Sequence, residues 1–248
     1  MNTRRAVKQG LRRVGLDDAV RKAEENWPSK QLRREKRDNR HAAAMLAALV
    51  GPDDHCVDVG AHKGDVLRQF VRLAPNGRHV AFEPVPSLFE GLEAEFASAP
   101  VELHRVALSD ADGEAEFTFY PEHPGLSGLG EAAVPADAPR ERFTVPIRRL
   151  DDVLADHPAP SLIKIDVEGA ELGLLRGAEQ TLARAKPAIL IEHGVHAARA
   201  FGATSEDIFD ALTAPGLRVF DMDGDGPYER ARFAHAVAAG ERWNWLVR

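Results

Sequence analysis

Four short apolar runs in this chain carry or end in an acid. Asp58 stands in Val57-Asp-Val-Gly60, Glu83 closes His79-Val-Ala-Phe-Glu83, and Asp166 closes Leu162-Ile-Lys-Ile-Asp166. Glu192 closes Ala188-Ile-Leu-Ile-Glu192, and His193 follows it. Runs of this length read as buried parallel strands, and ligands of open α/β sheets bind beyond the carboxyl ends of such strands. Carboxylates gathered there can accept hydroxyl groups, face a cationic ligand or hold a divalent cation. His193 adds a group that can take a proton near neutrality, because unperturbed imidazole titrates there.

The first run continues through glycines into a helix. Gly60 and Gly64 flank Ala61, His62 and Lys63, and residues 65–73 follow with Val66, Phe70 and Leu73 at helical spacing. Such a turn exposes backbone N–H groups and lets a ligand approach the main chain. Its Gly-x-x-x-Gly spacing is neither the three-glycine dinucleotide pattern nor the phosphate-binding loop. A carboxylate at Asp58 repels a pyrophosphate and suits a cationic or amine-bearing ligand. Glu83 falls roughly 20 residues beyond the turn, where an α/β fold holds ribose hydroxyls. The expected ligand is a nucleoside with a positive or zwitterionic tail, and S-adenosylmethionine fits. A nucleotide-dependent enzyme using NAD is a second reading, weakened by the missing third glycine. A non-catalytic cofactor-binding protein that uses its basic arm on a partner is a third.

Composition narrows the class. The chain has 248 residues, 44% hydrophobic and 29% charged, enough for one sizeable core and an extension. Its net charge of −7 argues against general nucleic-acid binding. Residues 1–40 hold 13 Lys+Arg and 6 Asp+Glu, leaving 19 and 33 for the remainder: a basic arm before an acidic body. The single cysteine, Cys56, rules out a disulfide within the chain and fits a reducing compartment. The longest apolar run, residues 42–50, is too short for a membrane span and too deep for a signal peptide. A cytoplasmic protein is expected, with no nucleic-acid partner and no membrane span.

Strands and helices alternate along the rest. A helix is expected over 30–50, capped by Ser29, and the boundary between extension and domain at residue 50. After the second strand, Ser87 is expected to cap a helix to Ala97, with Leu88, Leu92 and Phe96 on one face. Residues 101–108 read as a third strand, Asp112-Gly113 as a hairpin turn, and 114–120 as a half-exposed strand. The proline- and glycine-rich stretch 121–140 reads as a long loop that frames a site. Residues 142–148 read as an edge or bulged strand because of Pro146. A single helix is expected over 169–185, a Thr204-capped helix over 204–212, and two closing strands at 217–220 and 243–247. Lys164, inside a core strand, is expected to pair with an acid such as Glu168. Asp221 to Gly226 resembles half of a calcium loop but lacks its closing acid, so a turn is expected. The fold class that follows is α/β, a Rossmann-like doubly wound, mostly parallel sheet behind an N-terminal helical extension.

Five stretches in this order resemble the FkbM family of S-adenosylmethionine-dependent methyltransferases. They are Val57-Asp-Val-Gly-Ala-His-Lys-Gly64, Ala81-Phe-Glu-Pro84, Ala107-Leu-Ser-Asp-Ala-Asp-Gly113, Leu150-Asp-Asp152 and Ile163-Lys-Ile-Asp-Val-Glu-Gly-Ala-Glu171. Residues 175–178 and 187–192 agree as well, and the resemblance spans residues 50–247. His62 departs from it, since the family more often carries Asn there. The resemblance implies a class I methyltransferase fold, in which Asp58, Gly60, His62 and Gly64 form the loop under the methionine part of the cofactor. Glu83 then takes the ribose hydroxyls, Ala107 and Leu108 flank the adenine, and Asp166 lies beside the methyl donor. It further implies O-methylation of a sugar or secondary-metabolite hydroxyl on a small-molecule or glycan acceptor. His193 is the expected base, with Asp166 and Glu192 as its catalytic neighbours. The alternative use of Asp166, Glu192 and His193 is a Mg²⁺ site that lowers the acceptor's pKa.

Overall fold

The computed structural model describes residues 41–130, 137–194 and 201–248. The chain divides into two units at Arg40/His41, and the second carries everything below. The expected basic helix over 30–40 lies outside the described residues. Residues 41–49 are helical, and Leu46 and Val50 are buried.

Seven strands form one sheet. They are β1 (Cys56–Val59), β2 (His79–Phe82), β3 (Val101–His104), β7 (Leu162–Ile165), β8 (Ala188–Glu192), β9 (Val219–Asp221) and β10 (Asn244–Val247), in the order β3-β2-β1-β7-β8-β10-β9. Only β10 runs against its neighbours. Strands β1 and β2 are short and buried along their whole length, as expected when helices cover both faces.

Alternate residues of each strand serve opposite layers. Val57, Val59, Ile163, Ile165, Ile189 and Ile191 face one layer, with α4 (Glu171–Arg176), α5 (Glu179–Ala185), α6 (Ser205–Thr213) and α7 (Arg230–Ala238). Cys56, Leu162 and Leu190 face the other, with residues 46 and 50, α1 (Asp65–Leu73) and α2 (Pro86–Phe96). The covering helices change face between β1 and β7, where the strand order reverses. That reversal is the topological switch point of the sheet, and it opens a crevice at the strands' carboxyl ends.

A second sheet, β4 (Ala107–Leu108), β6 (Glu141–Arg148) and β5 (Gly113–Phe119), stands beside the first. This corrects three expectations. Residues 101–108 are not one strand, because the chain leaves the main sheet after His104. Asp112-Gly113 is not a hairpin turn, since β4 and β5 flank β6 on opposite sides. Nor is β6 an edge; Pro146 is tolerated because β4 reaches only Ile147 and Arg148.

Local details also differ. The buried face of α1 is Leu67, Phe70 and then Ala74, with Val66 and Leu73 only partly covered. Val85, not Ser87, precedes α2, and Pro86 opens that helix, where its missing N–H costs nothing. The expected helix 169–185 is two helices, α4 and α5. Asp151, in the short helix α3 (Leu150–Val153), caps the second of them. Its carboxylate accepts N–H of Thr181 at 2.7 Å and of Gln180 at 3.1 Å, so a distant segment stabilises the break. Thr204 caps α6 in a full capping box as expected. Helix α7 was not foreseen. The Asp221 turn is held internally: Asp221 accepts N–H of Asp223 and Asp225, the Tyr228 hydroxyl and Arg242.

Candidate functional site

A cleft of about 750 Å³, counting its open mouth, lies at the switch point. The ends of β1, β2 and β7 form its floor through Gly60, Glu83 and Asp166. Ala107 and Leu108 of β4 and Phe117 of β5 form an apolar wall. The loop after β5 supplies Pro124 to Gly125 and Ser127 to Leu129, so the expected framing by this loop is seen in its described part. Residues 131–136 of the loop lie outside the described residues. Gly128 is fixed over the cleft by pairing with Thr118.

The first turn is shaped for close approach. Gly60 has φ 77°, and a Cβ there would collide with the Asp166 carbonyl, so only glycine fits between the ends of β1 and β7. Gly64 has φ 79° and packs on Leu92 and Phe96; it holds the start of α1 but does not reach the cleft. His62 also has a left-handed backbone, φ 50°, a conformation that Asn adopts more readily than most residues. Its ring lines the cleft, and its Nε2 is buried with no partner among the described residues. Burial and the adjoining Lys63 lower its pKa, which favours the neutral ring.

Register creates the ion pair beneath this turn. Asp58 and Lys164 are directly opposite in β1 and β7. The Lys164 ammonium donates to the Gly60 carbonyl at 3.0 Å and lies 3.3 Å from Asp166 and 3.7 Å from Asp58. Lys164 thus pairs with Asp58 and Asp166, in place of the expected Glu168. Burial raises the Asp58 carboxyl above the usual range, opposed by Lys164, and its side chain is fully buried. Asp58 therefore anchors the turn from below and does not line the cleft. Burial lowers and the acids Asp166 and Asp58 raise the Lys164 ammonium; the net direction is up.

Glu83 sits in the floor with defined geometry. Its Oε2 accepts N–H of His62 at 2.8 Å, and its Oε1 accepts N–H of Val85 at 2.9 Å. Each oxygen keeps a lone pair for a hydroxyl donor. Burial pushes this carboxyl up to about 7, against the two backbone donors. Asp166 and Glu168 line the neighbouring end. Glu168 was named from the sequence only as a partner for Lys164, and its place in the cleft wall was missed. The signal for it was its position two residues after a strand-ending acid.

Two expected site residues lie elsewhere. His193 is fully buried and stacks on Phe233. Its Nδ1 lies 3.4 Å from Glu171 Oε2 and its Nε2 3.1 Å from Ser205 Oγ, so both nitrogens serve the core. It does not line the cleft, which corrects its reading as the base. Glu192, at the end of β8, is exposed and does not itself line the cleft, although its charge reaches Glu168 and Lys164. Among the described residues no group of three or more His, Cys, Asp or Glu side chains could hold a metal ion. The expected trio of Asp166, Glu192 and His193 is therefore not assembled, because successive residues of β8 point to opposite faces of the sheet.

Comparison with known proteins agrees with this geometry. Residues 58–218 match the family described as the methyltransferase FkbM domain. The AMB antimetabolite synthetase AmbE of Pseudomonas aeruginosa is 29% identical, over 79% of this chain and 11% of its own length. The 2-O-methyltransferase NoeI of Sinorhizobium fredii is 30% identical, over 57% of this chain and 64% of its own. This chain thus spans less than two thirds of either relative. The crystal structure of methyltransferase FkbM from Methylobacillus flagellatus superimposes with a TM-score of 0.50 at 19% identity, covering 82% of this chain and 47% of that one, and shows a shared fold. With the match running from the acid of β1 to the residue before β9, this chain belongs to the FkbM methyltransferase family.

Proposed function

We propose that this protein is an S-adenosylmethionine-dependent O-methyltransferase acting on a hydroxyl of a sugar or secondary-metabolite acceptor. The observation that carries the cofactor is Glu83. It stands at the carboxyl end of β2, beside the glycine turn, with a free lone pair on each oxygen for a vicinal diol. The remaining parts of the cleft fit the same molecule. Gly60 allows close approach of the methionine portion, and Ala107, Leu108 and Phe82 offer an apolar slot for a flat base. The acid-rich end near Asp166 and Glu168 favours a cation and disfavours the pyrophosphate of NAD. Support for O-transfer comes from the name of the NoeI relative.

When bound, S-adenosylmethionine supplies a methyl group on a sulfur already activated to leave. The chain's own work is then orientation and exclusion of water. Glu83 holds the ribose, the Gly60 turn and His62 position the tail, and the loop around Gly128 covers the reacting end. Of the three expected catalytic residues, Asp166 alone lines the cleft, which supports a position for it beside the methyl donor. A cytoplasmic location is part of this proposal. It is supported by the cysteine count: Cys56 is single, so no disulfide can form within the chain. Among the described residues no helix is long and apolar enough to cross a membrane.

Calorimetric titration with S-adenosylmethionine and with NAD, each with Mg²⁺ or EDTA, tests the reading. Micromolar binding of the first alone, unchanged by EDTA, is expected. Binding of NAD instead would overturn it. A screen of sugars and glycosylated metabolites for methyl incorporation then tests the acceptor class.

A further inference from the structure

The acid-lined end of the cleft contains one carboxyl that the proposed binding mode does not use. Glu168 follows Asp166 by two residues, lines the cleft, and is held there by an unusual backbone. Its φ of 50° places it in the left-handed region, which a side chain other than glycine adopts only when the surroundings fix it. Gly128 of the covering loop packs on it from above; a Cβ there would lie 3.4 Å from the Glu168 Cβ and 3.6 Å from its carbonyl oxygen. Glu168 is therefore clamped between the end of β7 and the loop that roofs the cleft.

Topology fixes which part of the cofactor it meets. Glu83, at the end of β2, marks the ribose. Gly60, at the end of β1, marks the tail, and β7 is the next strand along. On the methyl-donor reading Asp166 and Glu168, which line the cleft together with Ala107 and Leu108, meet the sulfur-bearing end.

We propose that Glu168 reads the charge on the cofactor's sulfur, and so separates the methyl donor, a sulfonium, from its demethylated product, a neutral thioether. This deepens the methyltransferase reading and rests on it. The two molecules share adenosine, ribose and amino-acid tail, so Glu83, His62 and the apolar wall treat them alike. A carboxyl at the sulfur is the kind of group that can tell them apart.

The surroundings of Glu168 make its charge depend on the occupant. Burial acts on it first, and then the like charges of Asp166 in the same loop, Glu192 at the end of β8 and Glu171 at the start of α4; Lys164 of β7 opposes them. Together they push the carboxyl up to about 9, so without a neighbouring cation beyond Lys164 it is protonated at neutral pH. A sulfonium beside it adds the missing positive charge and favours the carboxylate. Binding of the donor then releases a proton, while binding of the thioether leaves it in place. By linkage, donor affinity rises with pH below about 9, relative to product affinity. After methyl transfer the carboxyl regains a proton, and the product loses that advantage.

The test is the ratio of two dissociation constants. S-adenosylmethionine and S-adenosylhomocysteine are titrated calorimetrically into the full chain at pH 7 and pH 8, in two buffers of different ionisation enthalpy. Glu83 contributes alike to both constants and cancels in the ratio. The ligands' amino groups do not, because the sulfonium acidifies the donor's amine; their contribution is shared by the wild type and Glu168→Gln and cancels between those two proteins. The expected result is a donor preference that, relative to Glu168→Gln, grows toward about tenfold over this unit of pH, with extra proton release by the donor in the wild type alone. The same pH dependence in the wild type and Glu168→Gln, with both ligands binding, overturns this inference alone. Proton release by the donor in the wild type that matches what the free ligands' amine titrations account for also overturns it, and needs no variant. Failure of both ligands to bind the wild type overturns the methyl-donor reading, and the inference with it.

Discussion

Removing the Lys164 charge should unfold the turn from below. The substitution is Lys164→Met, which keeps the stem and deletes the ammonium. In the structure that ammonium lies 3.7 Å from Asp58 and 3.3 Å from Asp166, and donates to the Gly60 carbonyl. At an effective dielectric of about 20, each charge pair at such distances is worth about 4–5 kcal/mol before desolvation. Deleting one partner of a buried pair costs about 3–5 kcal/mol, because the other charge stays buried without compensation. For a domain of this size that lowers Tm by roughly 10 °C. The pH sign is definite. Lys164 has a raised folded pKa, so its contribution is fully present below its unfolded value of 10.5. Asp58, already raised by burial, rises further when the cation is lost. The folded variant then holds a proton that the unfolded chain has released above about pH 4, so its stability falls as pH rises. Urea unfolding at pH 5 and pH 8 should show a deficit that grows with pH. Lys164→Met combined with Asp58→Asn should recover at least about 2 kcal/mol of it. A deficit under about 1 kcal/mol, or one independent of pH, would refute the assignment of Lys164 as the counter-charge.

Other substitutions probe the remaining parts. Glu83→Ala should weaken S-adenosylmethionine binding by about 1–3 kcal/mol in calorimetry. The same change should lower Tm, because the His62 and Val85 N–H groups lose their acceptor. With the wild type, S-adenosylhomocysteine affinity should fall about tenfold from pH 8 to pH 6. The Glu83 carboxyl, folded value about 7 and above its unfolded 4.5, must there lose a proton to accept the ribose hydroxyls. Gly60→Ala should abolish cofactor binding and yield little folded protein by circular dichroism, since its methyl group would overlap the Asp166 carbonyl. His193→Ala should cost about 2–4 kcal/mol of stability, by loss of the Phe233 stack and two polar contacts, yet change cofactor affinity less than threefold. A tenfold loss of affinity in that variant would return His193 to the site.

The main sheet and most of the cleft at its switch point were legible in the sequence. Strand-ending acids, a glycine turn and their order are local features, and a parallel strand buried on both faces writes itself as an apolar run. Gly60, Glu83 and Asp166 could therefore be named before any coordinates; His62, Ala107 and Leu108 were implied by the family resemblance, and all six line one cleft. Tertiary structure alone decided the rest. Whether Lys164 meets Asp58 or Glu168 depends on the pairing of β1 with β7, across more than a hundred residues. Whether residues 107–108 extend β3 or join β6 depends on a partner strand forty residues on. The break between α4 and α5 needs the Asp151 carboxylate, which no helical periodicity reveals. His193 shows the limit most plainly. It follows a strand-ending acid just as a catalytic base would, yet the alternation of side chains along β8 turns it into the core against Phe233, away from the cleft.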